Sequence, residues 1–545
     1  MPYSGRQRLL STMPIQAPAI PDQTVPVRSQ PHNETEVFAV HGADPEVLAY
    51  AMAKYSRSSL SMRQSLKEIS SQRAEQFLNT FYFQYGHRSI ADLAHVAFAI
   101  ERLSLFAAIV LVDEQRWDGQ ERSTRYQNFQ KSGWYLPNFG ESAEARQLYT
   151  KTVEDLFAAY TSTSAAVFEA LKLRVACPAE MKQDAYERTL KARAFDVARY
   201  LLPLATNTSL GQIVNARTLE TQVSRLLSHP AAEIRDLGEK LKQAATGPAW
   251  NLHAEASTAL QAKIADLSPE LATESEPLLS REVHAAPTLV KYAQPSSYAQ
   301  QTHTGLTQAA AELLAKTPIT SAPVVDLVER TESLEVELAA TLLYSASHHP
   351  YRQIRDLVAS LPEARVAEII ELGLRHRGRH DEALRAFHAG AALRFDILMD
   401  IGGFRDMHRH RRCTQIIQEF TYLHGYETPE SGDASGLAEA GILDVYQAQM
   451  EAALQASRQI ALSNAPEAAQ SALYLLPLAT RIRSLFKMDF AEAQYISELR
   501  SGPAGHFSYR KVAWEMYLAL QRQHPALTKY IRVTDFTESI DLLKR

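Results

Sequence analysis

Two cysteines, Cys177 and Cys413, are all that the 545-residue chain contains, and neither sits in a CxxC or similar pairing motif. A disulfide framework and a cysteine-based zinc site are therefore excluded, and reduced, packed thiols are expected. Apolar runs of about 18 residues, long enough to span a membrane, are missing. The N-terminal stretch MPYSGRQRLLSTMPIQAPAIPDQ also lacks the continuous apolar core of a secretory signal, so a soluble cytoplasmic protein is expected. An excess of one charge is lacking too: 57 Lys and Arg against 62 Asp and Glu leave a formal charge of -5. Coating nucleic acid needs a broad basic surface, so nucleic acid is not an expected partner and any anion site must be local. What is present is ordinary for a globular chain, 46% hydrophobic and 22% charged residues, enough for two or more cored domains.

Residues 1–35 are rich in Pro, Gln and Ser without periodicity and read as a flexible arm. A strand is expected at Glu36–Val40, followed by mostly helical patterns such as Ala91–Val112 and Ala179–Leu202. A stretch with repeated Pro, Ser, Thr and Gln, around Ser268–Pro323, precedes a second half that begins again at Pro323–Val328. The expected division is an arm at 1–35, a first unit at 36–250, a linker at 251–322 and a second unit at 323–545.

The halves repeat each other. Leu201-Leu202-Pro203-Leu204-Ala205-Thr206 recurs as Leu475-Leu476-Pro477-Leu478-Ala479-Thr480, a shift of 274 (475 − 201). Tyr55-Ser56-Arg57-Ser58 is echoed by Tyr344-Ser345-Ala346-Ser347, and His87 and His95 are matched with His380 and His388. An identical six-residue string among landmarks in one order argues for internal duplication.

Two segments carry chemistry. Arg405-Asp406-Met407-His408-Arg409-His410-Arg411-Arg412 follows an apolar stretch read as helical. Its density of guanidinium and imidazole groups suits a bound polyanion, because Arg forks match phosphate oxygens; a solvated basic helix end would look the same. Gln120-Glu121-Arg122-Ser123-Thr124-Arg125-Tyr126 follows a Trp-Asp-Gly turn. It offers hydroxyls, amides and a guanidinium to a phosphate or a pyrimidine edge, or forms a capped, salt-bridged turn. Cys413 reads as packing rather than as a nucleophile.

Together these segments resemble the signature of flavin-dependent thymidylate synthases, which runs Arg-His-Arg, seven residues, Ser, any residue, Arg, and usually Tyr. The second half carries Arg409-His410-Arg411 but holds Glu419 and Thr421 at the Ser and second Arg positions. The first half carries Glu121, Ser123, Arg125 and Tyr126 but holds Asp113, Glu114 and Gln115 at the Arg-His-Arg positions. Downstream, the family's flavin-contacting Asn-x-Arg is matched by Asn215 and Arg217, against Asp489 and Ala491. Its later nucleotide-contacting arginine is matched by Arg500, against Leu226, and its arginine near the nucleotide phosphate by Arg199, against Leu473. The offset between halves drops from 296 (409 − 113) at the signature to 274 at the repeated string, so the second half is expected to be shorter between them.

The resemblance implies a helix-rich α/β (α+β) fold in two tandem copies, and active sites built between subunits. In the complete composite site, Arg409, His410 and Arg411 would face flavin and nucleotide, and Asn215 and Arg217 would hold FAD. Glu121, Ser123, Arg125, Arg199 and Arg500 would hold a pyrimidine nucleotide, with Arg409 and Ser123 at the chemistry. The implied reaction is methylation at C5 of a uracil nucleotide, dUMP to dTMP, with NADPH and methylenetetrahydrofolate as co-substrates and no metal. Since the family uses four subunits, a homodimer imitating the tetramer is expected. Asp113 and Thr421 would line an empty second site. Leu93 replaces a His found in many members, and Asp406 replaces a common Gln, so a different substrate remains open. Two competing readings stand beside this one: a non-catalytic flavin- or nucleotide-binding pseudoenzyme, and flavin-dependent uridine modification in RNA, which the acidic charge opposes.

Overall fold

The computed structural model describes residues 43–54, 88–329, 331–378, 384–429, 436–529, 531–539 and 541–543. The chain divides at Ala43/Asp44 into two units, and every element below belongs to the second. The expected strand at Glu36–Val40, the arm, Tyr55–Ser58, His87 and His380 lie outside the described residues.

From the N-terminus come α1 (Pro45–Lys54), β1 (His95–Ser104), α2 (Leu105–Leu111), β2 (Asp118–Glu121), α3 (Ala143–Arg174), α4 (Gln183–Ala198), β3 (Asn207–Asn215), α5 (Ala216–Leu227) and α6 (Ala232–Thr246). Three helices fill the stretch read as a linker: α7 (Ala254–Leu267), α8 (Pro269–Leu279) and α9 (Ser297–Leu314). Then follow β4 (Val325–Leu327), α10 (Leu334–Tyr344), α11 (Tyr351–Ala359), α12 (Glu363–Leu374), β5 (Leu393–Asp400), α13 (Ile401–Met407), β6 (Thr414–Ile417), α14 (Leu443–Ala461), α15 (Ala468–Leu473), β7 (Arg481–Met488), α16 (Phe490–Ser501), α17 (Phe507–Gln523) and α18 (Pro525–Thr528). Among the described residues no helix is long and apolar enough to cross a membrane.

The helical reading of Ala91–Val112 is corrected: Ala91–Leu93 end a short 3-10 turn, His95–Ser104 are strand β1, and only Leu105–Leu111 is α-helix. The same correction applies before Arg405, where β5 precedes α13. Both runs are apolar enough to suit either state, and pairing with a distant strand decides between them. β1 and β2 flank β3, all antiparallel, and in the second half β5 and β6 flank β7 in the same way, with β4 added at the β5 edge. At the strand-to-helix junctions Ser104, Asn215, Asp400 and Asp489 each cap the following helix through a side-chain oxygen that accepts a backbone N–H. Asp489 thus does the same capping work as Asn215.

Sheet register makes the duplication quantitative. Glu121 pairs with Leu210 and Ile417 with Ser484, so the strands before the central one are offset by 296 (417 − 121) and the central strands by 274 (484 − 210). The 22 missing residues (296 − 274) fall where α3 and α4, of 32 and 16 residues, are replaced by α14 and α15, of 19 and 6. One landmark pairing fails: a register shift between Glu101 and Leu103 raises the offset to 297 (393 − 96) in the first part of β1, where Val96 opposite Val214 corresponds to Leu393 opposite Met488, so the counterpart of His95 is Ala392 and not His388.

The repeated strings meet. Pro203 faces Pro477 in an antiparallel bridge. Leu204 N donates to Leu476 O and Leu478 N to Leu202 O, both at 2.9 Å, while Ala205 N donates to Tyr474 O and Ala479 N to Tyr200 O. Each bond has a mate 274 residues on with the halves exchanged, so a pseudo-two-fold axis passes between the prolines. Leu201, Leu202, Leu204, Leu475, Leu476 and Leu478 are all fully buried there, worth about 1.5–3 kcal/mol apiece.

Candidate functional site

On one side of the pseudo-axis, α2 and β2 of the first half face α13 and the loop after it. They line a partly open cavity of about 370 Å³, counted with the space open to solvent, whose walls are Ile109, Val112, Trp117, Gly119, Glu121, Arg405, His408, Arg409 and Arg411. A second cavity of about 210 Å³ is lined by Asp113, Glu114, Gln115, Arg385, His408, His410, Arg411, Cys413 and Gln415. At the offset of 296, Trp117 and Gly119 correspond to Cys413 and Gln415, and Arg409-His410-Arg411 to Asp113-Glu114-Gln115. The cavities are therefore quasi-equivalent, one bearing the basic version of the motif and the other the acidic one.

Backbone shape makes room in the larger cavity. A Cβ on Gly119 would lie 2.4 Å from Gly211 O and 2.5 Å from the Trp117 ring, so only glycine lets the indole fold over β2. Trp117 is held by Nε1 donating to Gln212 Oε1 at 2.8 Å, and the Arg411 guanidinium sits 5.5 Å from its ring centre.

Two of the ion pairs that cross between the halves lie beside the larger cavity. Arg405 pairs with Glu121, and Arg199 Nη1 lies 3.5 Å from Asp406 Oδ2. The counterparts are Ile109 with Ile417, and Leu473 with Val110, all apolar. One copy of each pair is ionic and the other is not. Arg199 is buried, and among the described residues its Nε and Nη2 lack partners, as does Arg405 Nε. Arg409 is exposed on the cavity wall with no ion pair or hydrogen bond among the described residues. Unpaired guanidinium donors facing or flanking a cavity favour an anionic occupant.

The smaller cavity is internally neutralised. Asp113 Oδ1 is 2.6 Å from Arg385 Nη1 and 3.1 Å from His408 Nε2, and Glu114 is 2.7 Å from Arg225 Nη2. Burial would raise the Asp113 carboxyl, but Arg385, His408 and Arg225 hold it well below the usual range. Burial wins at Glu114, whose carboxyl is raised. His410 is neutral: burial and then Arg500 push it down to about 3, and its Nε2 accepts from Arg500 Nε at 2.8 Å. Burial pushes the Cys413 thiol up to about 12, which suits packing and not nucleophilic attack.

A model of the family described as thymidylate synthase complementing protein matches residues 38–247 and 326–526. The chain belongs to the thymidylate synthase complementing protein family. Among relatives, a UPF0159 protein of Chlamydia muridarum is 29% identical over 538 residues, 93% of each chain. A UPF0159 protein of Thermoplasma acidophilum is 25% identical over 516 residues, 89% of this chain and 94% of the other. A flavin-dependent thymidylate synthase of Clostridium tetani is 24% identical over 203 residues, 36% of this chain and 76% of its own. A Helicobacter pylori flavin-dependent thymidylate synthase complexed with FAD and dUMP aligns with 37% of this chain and 89% of its own, at 17% identity and a TM-score of 0.25.

As a member of the thymidylate synthase complementing protein family in duplicate, the chain brings Glu121, Arg409 and Arg411 onto the wall of its larger cavity, and His410 and Arg411 onto the smaller. Ser123, Arg125, Arg199, Arg500, Asn215 and Arg217 lie off both walls. Arg125 is buried, its Nε and Nη2 on Asp196, Nη1 on Tyr509 and Nη2 also on Ala504 O. Burial would lower its pKa, yet Asp196 outweighs this and raises it. The Ser123 hydroxyl accepts from Arg125 N at 3.2 Å, and Thr421 does the same for Leu423 N. Asn215 caps α5, and Arg217 lies 3.4 Å from Asp92. Sequence reasoning passed over Arg405, His408, Trp117 and Arg385. The first three lie inside quoted segments, whereas Arg385 carries no local signal, because its partner is 272 residues away.

Proposed function

We propose that this chain is a flavin-dependent enzyme of pyrimidine nucleotide methylation, acting on C5 of dUMP or a close relative at the larger cavity. The observation that carries the reading is the asymmetry of two quasi-equivalent cavities: one gathers the Glu121-paired Arg405, the exposed Arg409 and Arg411 beside Trp117, while in the other the acidic counterparts Asp113 and Glu114 are held by Arg385 and Arg225. The unpaired guanidinium donors fit phosphate oxygens. FAD would lie toward Asn215 and Arg217 or a second copy of the chain, in a homodimer that imitates the family's tetramer. Bound FAD, reduced by NADPH, would supply the hydride, and methylenetetrahydrofolate the carbon.

The protein's part is orientation and charge. Arg409 is free to take a phosphate, Arg411 over Trp117 gives a fixed cation beside the ring-binding space, and Glu121 orients Arg405 across the cavity. By the resemblance, Ser123, Arg125, Arg199 and Arg500 would support the nucleotide end from beyond the cavity wall. A second reading, a nucleotide-binding pseudoenzyme, is favoured by one observation: Arg125, Arg199 and Arg405 already carry carboxylate partners. Purified protein tested for flavin absorbance and for tritium release from C5-labelled dUMP separates the two. Release that depends on Arg409 supports the enzyme, flavin without release supports the pseudoenzyme, and neither refutes both.

A further inference from the structure

The two cavities share a wall. His408 and Arg411 line both, and the degenerate signature residue Asp113 reaches that wall from the first half. His408 is buried and stacked on Phe404, with ring centres 4.9 Å apart. Its Nε2 lies 3.1 Å from Asp113 Oδ1 and 3.5 Å from Arg411 Nη1. An ionised carboxylate only accepts, so Nε2 must donate its proton to Asp113, which fixes the tautomer and the ring plane. Arg411 then lies against an imidazole it cannot donate to, between the Asp113 charge and the Trp117 ring. Arg385 stands behind Asp113 at 2.6 Å, and its positive charge would repel Arg411 if that carboxylate were absent.

We propose that Asp113, although it occupies a lost Arg-His-Arg position, is a positioning residue for Arg411, acting through His408 and by screening Arg385. The smaller cavity is then a repurposed support for the larger one. This rests on the larger cavity being the ligand site. Asp113 lines the smaller cavity, as expected of the empty site, and the proposal adds that its neutralisation reaches the ligand-facing arginine.

Position and plain potential make opposite predictions. If Asp113 merely lowered the positive potential, Asp113→Asn would tighten binding of an anion. If it positions Arg411, the same change loosens Arg411 and weakens binding, by about 10-fold. The test is titration of the full chain with FAD, followed by flavin fluorescence, for wild type, Asp113→Asn, Asp113→Glu, Arg411→Ala and the Asp113→Asn/Arg411→Ala double variant. Weaker binding in Asp113→Asn, recovery in Asp113→Glu, and no further loss on adding Asp113→Asn to Arg411→Ala are expected. Tighter binding, or losses that add in the double variant, overturns the proposal. Trp117 emission, isolated as the difference from Trp117→Phe, gives a readout without ligand. It should shift in Asp113→Asn but not when Arg411 is already Ala, and an equal shift in both backgrounds also overturns it. If wild type takes no FAD, the functional reading fails, and the Trp117 signal alone decides the positioning role. Should Asp113→Asn fail to fold, His408→Gln breaks the same link and is read in the same way.

Discussion

Arg125 and Arg409 look alike in the signature but should fail differently when truncated. Arg125→Ala removes a guanidinium whose side chain is 9% exposed and leaves the Asp196 carboxylate, 4% exposed, without its ionic partner. Breaking a buried pair from one side costs about 3–5 kcal/mol, most of it the penalty of the stranded charge. Tyr509 and Ala504 O lose donors as well. Arg409→Ala strips an exposed, unpaired side chain, so stability should change by about 0.5 kcal/mol or less. Its cost should appear in ligand binding, as loss of a charge-assisted contact worth about 1.5–3 kcal/mol, roughly 10- to 150-fold in affinity. Thermal melts and titration with dUMP on both variants separate the two effects. Arg125→Met with Asp196→Leu should recover most of the lost stability, because an apolar pair strands no charge. An Arg125→Ala protein that melts with wild type yet no longer binds dUMP would refute the burial reasoning and make Arg125 a direct ligand contact.

Three further outcomes are expected. Leu204→Ala and its mate Leu478→Ala, both fully buried at the pseudo-axis, should each cost about 2–5 kcal/mol in urea unfolding, and by similar amounts; a large inequality would deny the quasi-equivalence. His410 is held at about 3 when folded, and His229 and His424 at about 4, all chiefly by burial, against 6.5 when free. The unfolded chain therefore binds more protons in that window, so stability should fall as pH drops from about 6.5 toward 4, and His410→Gln should flatten melts across that range; stability rising on acidification would contradict the assignment. Asp400, raised to about 6 by burial, acts in the opposite sense above its free value of 3.8, as do Glu46, Glu114, Glu233, Asp396 and Glu492, all raised chiefly by burial, so the difference between wild type and His410→Gln isolates the histidine part. Light scattering at micromolar concentration should give twice the 60.9 kDa chain mass, and a monomer alone would count against sites shared between chains.

Some residues announced their partners locally and some did not. The Leu-Leu-Pro-Leu-Ala-Thr strings were legible because identity over six positions needs no structure, and the split signature because residue types at fixed spacing survive as text. The shortening of the second half followed from counting. The identity of β1 did not, because Val96, Ala97, Phe98, Ala99 and Ile100 are apolar on both helical and strand periods, and only β3, more than 100 residues on, selects the extended form. Glu121 and Arg405 are each ordinary charged residues in sequence.

By itself, then, the sequence determined that two copies exist, in which order, and which copy kept each chemical group, since all three depend only on the residues present. Tertiary structure alone decided that the strings clasp one another about a pseudo-axis. It also decided that Arg125 is braced by Asp196, and that Asp113 pairs with Arg385 and, through His408, reaches Arg411. The physical reason is that burial and ion pairing depend on distance in space, and, except for the step from His408 to Arg411, every one of these contacts joins residues 71 or more positions apart.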